Sequence, residues 1–430
     1  MARDPAILAV HLLAPGGPVK AGSLVRDSDG SVVFNVAEAY LRDSARPILS
    51  LGWYDPGSDE GSRQRLAARS DKLGLYGTLP PWFEGLLPEG ALWDLVVSEM
   101  GPGDHDHFDV LTRLGADLPG AVLVTPETEA PASAGPLTFT RVEGLRAPAP
   151  EGVVKFSLAG IQLKVIANAD GERLTAPALG QSGRCIVKLA SERFEGLPEA
   201  EYAAMQLARM IGVATASCRL APSETVRGVP EELLAHGPKV LVVDRFDRGE
   251  AGARIHMEDA AQVLGATGDR KYTMGTSETI ANMVRRFSTD RRADLLEAVR
   301  RIVADVLVGN GDNHLKNWSF LFARPGEVRL SPAYDIVPTV LFIPAETLAL
   351  RFAGTRRFEH VSLHRFERLA GFLDLDPRLI LREVRIAVER ALDLWPAAAP
   401  ELLGERRARR LLDRLPSLQL VQEVTAAARA

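Results

Sequence analysis

The loop GNGDNHLKN carries Asp312 and Asn317, a carboxylate and a carboxamide five positions apart (317 − 312). A carboxylate can take the proton of an attacking hydroxyl. An amide oxygen at that offset can help to hold a hard divalent cation, which prefers oxygen ligands and keeps some of its sites for phosphates and water. The pattern is that of a phosphoryl-transfer loop, where an Asp base precedes a metal-binding Asn by the same interval. Taken alone, the segment also fits an ordinary turn, because Gly, Asn and Asp cluster in turns for their own reasons. Two neighbours strengthen the chemical reading. WSFLF, a Pro-Gly turn and VRL read as a hairpin that returns the chain to Tyr334-Asp335, supplying a second carboxylate. His314, Leu315 and Lys316 sit inside the loop, and the helical run RRIVADVLVG feeds straight into it.

Phosphoryl transfer also needs cations on the phosphates and a loop that cradles them. GRCIVKLA reads as a strand bearing Lys188. A strand lysine standing by itself is more often an aliphatic stem with a solvated head. Glu201, thirteen residues on (201 − 188) near the start of the helical run LPEAEYAAMQLARMIG, is a candidate ion-pair partner, with Glu199 as its rival. Either acid also suits a helix N-terminus. KFSLAGIQLKV offers small residues at Ser157, Ala159 and Gly160, followed by Ile161, Gln162, Leu163 and Lys164. It contains neither a Walker A sequence nor G-x-G-x-x-G, so only its position suggests a phosphate loop. VLVVDRFDR would then join the two lobes, with backbone groups of Asp244, Arg245 and Phe246 offered to an adenine edge. The bland reading of Arg245, Asp247 and Arg248 is a solvated ion-pair cluster.

The elements that must position these groups follow from periodicity. AILAVHLL and SVVFNV read as strands of a β-rich front module, followed by a helix from about Glu89, a helix in DHFDVLTRL and a strand in AVLV. Pro, Ala and Glu dominate TPETEAPASAGP and LRAPAPEG, which read as connecting segments. The expected architecture is α+β. It has a β-rich N-terminal module at 1–125, a linker at 126–152, a small β-rich lobe at 153–248 and a helical lobe with the catalytic loop at 249–430. From about Met257 onward the pattern reads as largely helical, with the hairpin as the exception.

Composition bounds the function. The 430 residues carry a net charge of −5, which argues against a chain whose bulk field attracts nucleic acid. Cys185 and Cys218 have no metal-ligand spacing and suit a reducing compartment. The short apolar start is interrupted by His11 and reads as a strand, and no apolar run is long enough to span a bilayer, so a cytoplasmic location is expected. His105-Asp106-His107 reads as surface rather than as a metal site. Trp82 and Phe83 read as packing groups. RRARRLLDR reads as an amphipathic helix with a solvated basic face, or as a minor DNA-backbone contact within a complex.

Together the motifs SLAGIQLK, IVKLA, EAEYAAMQLARMIG, DRFDR, RIHMEDAAQVLG, GDNHLKNWSF and LSPAYDIVPT resemble the HipA toxins, the serine/threonine kinases of HipBA toxin–antitoxin modules. WFEGLLPEG and FDVLTRLGADLPGAVLV extend the resemblance to the front module, so that it covers nearly the whole chain. It implies a kinase using ATP and Mg²⁺, with Asp312 as catalytic base and Asn317 and Asp335 as metal ligands. Residues Ala159 to Lys164 would form the phosphate loop and Lys188 would contact phosphates. Asp244 to Phe246 would meet adenine, and His314, Leu315, Lys316, Asn317 and Tyr334 would line the nucleotide. Ser157 stands where the family carries an autophosphorylated serine, and added charge there would repel the loop from a phosphate site. The resemblance further implies a protein substrate such as an aminoacyl-tRNA synthetase, and a helix-turn-helix antitoxin, HipB-like, through which operator DNA would mainly be bound. Leu163 and Asp244 depart from residues common in the family, as does LSLGWYDPGSDEGS in the front module. The rival readings are a kinase for a small molecule and a non-catalytic corepressor that keeps the fold. A small substrate does not need the front module. A corepressor does not need the set Asp312, Asn317, Asp335 and Lys188.

Overall fold

A computed structural model describes residues 6–127, 162–171, 173–176, 182–250 and 253–427. Of the expected functional residues, Ser157, Ala159, Gly160 and Ile161 lie outside the described residues, as does nearly all of the 126–152 linker. The chain divides into two compact units. The first comprises Met1–Leu49, Arg63–Pro198 and Cys218–Arg254, and the second Ser50–Ser62, Glu199–Ser217 and Ile255–Ala430.

The first unit holds two sheets. Strands β1 (Ala6–Ala14), β2 (Gly17–Arg26), β3 (Val32–Val36), β4 (Leu73–Gly74) and β5 (Val122–Pro126) form an antiparallel sheet in the order β4-β3-β2-β1-β5. Leu8, Val10 and Leu12 alternate along β1 and are all buried, the period of a strand with one face in a core. Trp82 and Phe83 are buried with their rings edge to face at 4.9 Å, as the sequence suggests. The helix His107–Leu114 starts at a capping box in which Asp106 accepts from the Asp109 N–H and Asp109 accepts in return from the Asp106 N–H. Asp106 and Asp109 also receive Arg26, and His107 meets Glu84 at 2.7 Å. The His105–His107 segment therefore serves a helix start and ion pairs, with Asp106 buried rather than on the surface.

The second sheet contains β6 (Lys164–Asp170), β7 (Arg173–Thr175), β8 (Cys185–Lys188), β9 (Cys218–Pro222), β10 (Val226–Arg227) and β11 (Lys239–Asp244) in the order β10-β7-β6-β8-β11-β9. One face is apolar: Val165, Ala167, Cys185, Val187, Val240 and Val242 form a single buried cluster. Alternation sends Lys164, Lys188 and Leu241 to the other face.

The second unit is mainly helical. Ala204, Leu207, Ala208 and Ile211, on or just after the helix Leu197–Met210, are buried at the expected helical spacing, and Gly212 follows with φ +99°. The helix Arg291–Val308 leads to the Asp312 loop. Beyond the loop, β13 (Ser319–Phe322) and β14 (Arg329–Leu330) form the expected hairpin. A correction applies just upstream: His256–Asp259 is a strand, β12, paired antiparallel with β13, where the sequence pattern reads as helical. Four residues are too few to show a period of two, and the partner strand is remote in sequence. The C-terminal arginines keep the expected solvated face, with Arg406, Arg409 and Arg410 exposed. The helix Glu405–Leu412 is amphipathic; Arg410 donates to the Leu341 carbonyl and Arg414, beyond its end, donates to those of Val306 and Leu307. Arg414 is thus partly withdrawn onto backbone acceptors, whereas Arg410 makes its contact from an exposed position. Burial lowers the Arg414 guanidinium to about 10.

Candidate active site

The Arg291–Val308 helix ends at Gly309, whose φ of +75° is the left-handed conformation that closes a helix C-terminus. A Cβ here would lie 2.4 Å from Cγ2 of Val340, so backbone conformation and packing both demand glycine. The loop that follows is pinned by its own polar groups. Asp305 in the last helical turn accepts from Asn310 Nδ2 at 2.9 Å and from Asn313 Nδ2 at 2.6 Å. Thr339 Oγ1 accepts from the Gly311 N–H at 2.7 Å and donates to the Gly309 carbonyl at 3.0 Å. Burial pushes the Asp305 carboxyl up to about 7, against the opposing pull of Asn313 and Asn310.

Asp312 is 9% exposed. Its N–H donates to Asn310 Oδ1, and its carbonyl accepts from the His314 N–H at 2.8 Å and from Asn317 Nδ2 at 3.0 Å. The five-residue spacing thus closes into a ring in which the Asn317 amide nitrogen is committed to the loop. The Asn317 carbonyl oxygen is left as that side chain's metal-type donor. On the carboxylate, Oδ1 accepts from the Tyr272 hydroxyl at 2.9 Å. Sequence reasoning missed Tyr272, which lies forty residues upstream (312 − 272) in a 3₁₀ turn, Gly268–Tyr272, with no motif to mark it.

The loop leaves through a turn at Leu315–Asn317 into β13. Tyr334 ties the returning chain to it: its hydroxyl donates to the Lys316 carbonyl at 2.7 Å and lies 2.6 Å from Ser319 Oγ. Burial pushes the Tyr334 phenol well up, so it stays protonated and serves as a structural donor. Asp335 follows with φ +58°, an uncommon conformation for a side-chain-bearing residue and one that Asp tolerates better than most. The structure therefore brings Asp312, His314, Leu315, Lys316, Asn317 and Tyr334 into one hydrogen-bonded loop, with Asp335 next in the chain.

The remaining expected residues among those described lie in the first unit, except Glu201, which is buried in the second. Lys164 on β6 stands opposite Lys188 on β8 as direct antiparallel partners, so both side chains leave the same face of the sheet. Lys188 is 5% exposed. Gln162 Nε2 donates to the Leu189 carbonyl at 3.0 Å, and the Leu189 N–H donates to that of Leu163, fastening the end of the phosphate-loop candidate to the lysine strand. Like charges placed directly opposite cost stability, and two lysine side chains share this one face of the sheet.

At the end of β11, Asp244 is exposed and Phe246 is half-buried. Arg245 turns inward: it donates twice to Asp247, at 3.0 and 2.9 Å, while its N–H donates to the Arg184 carbonyl. Arg248 donates to Asp247 at 2.6 Å and to Asp117 at 2.7 Å, and Arg254 donates to the carbonyls of Ala116, Leu118, Gly120 and Val122. The cluster read from sequence as solvated is buried, because its partners come from a segment more than a hundred residues away. Burial alone would raise the Asp247 carboxyl, but hydrogen bonds from Arg245 and the charges of Arg245 and Arg248 hold it below the usual carboxylate range. The segment after β11 is thereby locked to the 116–122 turn before β5.

A sheet with a two-lysine face and a helical unit with a pinned Asp–Asn loop, followed by a hairpin and a second Asp, define a protein-kinase-like fold. The architecture matches a chain of the solved complex of HipA, HipB and its operator DNA from Shewanella oneidensis, with a TM-score of 0.71 at 20% identity, covering 97% of this chain and 99% of that one. Family models for the HipA-like C-terminal domain and the HipA N-terminal domain match residues 156–395 and 17–125. The chain belongs to the HipA family. It is 35% identical over 425 residues to "Putative kinase Y4dM" of Sinorhizobium fredii, covering 97% of this chain and 99% of that protein. It is 26% identical over 332 residues to "Serine/threonine-protein kinase toxin HipA" of Shewanella oneidensis, covering 71% of this chain and 72% of that protein. Among the described residues no helix is long and apolar enough to cross a membrane.

Proposed function

We propose that this chain is an ATP- and Mg²⁺-dependent serine/threonine-protein kinase that acts as the toxin of a toxin–antitoxin pair. The observation that carries the reading is the closed Asp312 loop, in which Asn317 Nδ2 holds the Asp312 carbonyl and the Asp305, Asn310, Asn313 and Thr339 contacts fix the approach. Asp312 accepts the proton of the acceptor hydroxyl as that oxygen attacks the γ-phosphorus. Lys188, and Lys164 beside it, meet the phosphate charge. Main-chain groups at Asp244–Phe246, other than the Arg245 N–H that is taken by the Arg184 carbonyl, offer hydrogen bonds to the adenine edge, while the inward turn of the Arg245 side chain keeps it out of that role. Asn317 and Asp335 offer the few hard oxygen donors that a phosphate-bound Mg²⁺ takes from protein. When bound, that ion would neutralise charge on the β- and γ-phosphates.

The acceptor is a cytosolic protein, with an aminoacyl-tRNA synthetase as first choice from the family resemblance, so that transfer inhibits translation and growth. A HipB-like helix-turn-helix antitoxin neutralises the chain, and operator DNA is met mainly through that partner. The Shewanella oneidensis complex, which contains HipA, HipB and operator DNA, supports this reading, and the chain's own charge of −5 agrees with leaving most DNA contact to the partner. Ser157 is the candidate self-modification site.

Incubation with γ-labelled ATP and Mg²⁺ tests the reading. Wild type transfers label to itself or to a synthetase, and Asp312→Ala does not. Equal transfer by both overturns the role of Asp312, and a wild type that transfers nothing overturns the kinase. Ser157→Ala keeps ATP binding and loses self-inactivation, and persistent self-inactivation rejects that site.

A further inference from the structure

The second unit carries a polar contact that no motif accounts for, between the phenol of Tyr272 and the carboxylate of Asp312. The donor is well placed and well held. Its oxygen lies 2.9 Å from Oδ1. The Tyr272 carbonyl accepts from Arg356 Nη2 at 2.9 Å, and Arg356 also donates to the Leu348 and Ala349 carbonyls, so the turn is braced from a separate segment. The ring stands edge-on to His314, with centroids 5.0 Å apart at 82°. The ammonium of Lys271, a buried residue, lies 5.5 Å from the ring centroid. The loop's own contacts hold the main chain of Asp312. Tyr272 meets the carboxylate itself, whose twist about the Cβ–Cγ bond is a soft torsion with a broad minimum.

We infer that Tyr272 is a positioning residue that fixes one carboxylate oxygen of Asp312 so that the other is aimed at the acceptor hydroxyl. The inference rests on the kinase reading. In the step it serves, the acceptor O–H proton passes to Asp312 Oδ2 while the acceptor oxygen bonds to the γ-phosphorus of ATP. The bond from that phosphorus to the β–γ bridging oxygen breaks, and ADP leaves with the electron pair. Tyr272 keeps its own proton throughout and touches neither ATP nor acceptor. Its contribution is geometric: a base whose reacting oxygen is already aligned spends fewer encounters in unproductive rotamers.

The test is Tyr272→Phe in the full chain, which keeps the ring and removes only the hydroxyl. The probe is γ-labelled ATP with Mg²⁺, reading label on the chain and phosphate released, across ATP concentrations and beside wild type and Asp312→Ala. The rate at saturating ATP is expected to fall about tenfold, the loss of one oriented hydrogen bond to a charged group, with the KM for ATP and the melting temperature unchanged. A variant with the wild-type rate overturns the inference and leaves the kinase reading standing. A variant whose KM for ATP rises and whose melting temperature falls alongside the rate also overturns it, because the hydroxyl would then be holding the fold. A wild type that transfers no phosphate overturns the kinase reading, and this inference falls with it.

Discussion

Asp305 and Asn313 are joined by a 2.6 Å hydrogen bond from the amide nitrogen to Oδ2, and the same carboxylate takes Asn310 on its other oxygen. One side chain at the end of a helix therefore sets two positions of the loop that carries Asp312. Its folded pKa of about 7 lies above the ordinary value of 3.8, because burial disfavours the charge. The folded state then holds a proton that the unfolded state has released, so stability falls as pH rises between these values. The melting temperature of wild type should drop between pH 5 and pH 8 by an amount equivalent to a few kcal/mol. Asp305→Asn should flatten that part of the difference curve. Identical pH profiles for the two proteins would show that Asp305 does not titrate in this window.

The Lys164–Lys188 pair yields a binding prediction. Lys188→Met should lose ten- to a hundredfold in ATP affinity, the worth of a charge-assisted contact, and Lys164→Met should lose less, since Lys188 is the more buried. The ATP-induced rise in melting temperature measures both. An undiminished rise in both variants would mean that this face does not meet the phosphates.

Asp247 joins Arg245, Arg248 and the Gly120 N–H in one buried cluster. Asp247→Ala leaves guanidinium charge buried beside it and should cost about 3–5 kcal/mol, measured as a shift in the urea midpoint. A loss below about 1 kcal/mol would place the cluster in the class of solvated surface pairs.

Gly309→Ala should be strongly destabilising relative to a surface substitution. It combines a positive φ with a methyl 2.4 Å from Val340, and each effect costs on the order of 1–3 kcal/mol. Thermal unfolding checks it, and a neutral result would require the loop to leave the helix by another path.

Sequence carried the parts of this fold whose signals are local. Ala204, Leu207, Ala208 and Ile211 marked the buried face of a helix, and the Pro-Gly turn marked the hairpin, because a period or a turn residue is visible within a dozen positions. The Asp312–Asn317 spacing pointed to a loop, and the loop proved to be closed by a hydrogen bond between those residues. What stayed hidden depends on partners far away in the chain. Tyr272 acquires meaning only when folding brings it against Asp312. The arginines after β11 look solvated until Asp117 and the carbonyls around it arrive. Strand β12 is too short to announce itself without β13. Asp305 reads as one polar position on a helix, and only burial turns it into an anchor that titrates near neutrality.

Ser50 Oγ and the Leu51 N–H both donate to Glu258, at 2.5 and 2.7 Å, and Glu258 is fully buried. These two residues precede the C-terminal family segment by about a hundred positions, yet they belong to the second compact unit. The second unit therefore includes residues encoded well before the C-terminal family segment. A chimera that swaps only the first 127 residues for those of a relative exchanges two of the donors to the buried Glu258 carboxyl. Successful swaps should be those in which the incoming segment supplies a hydroxyl and a main-chain N–H at the same places. Shuffling between relatives would follow that seam rather than the apparent border between the N-terminal and C-terminal modules.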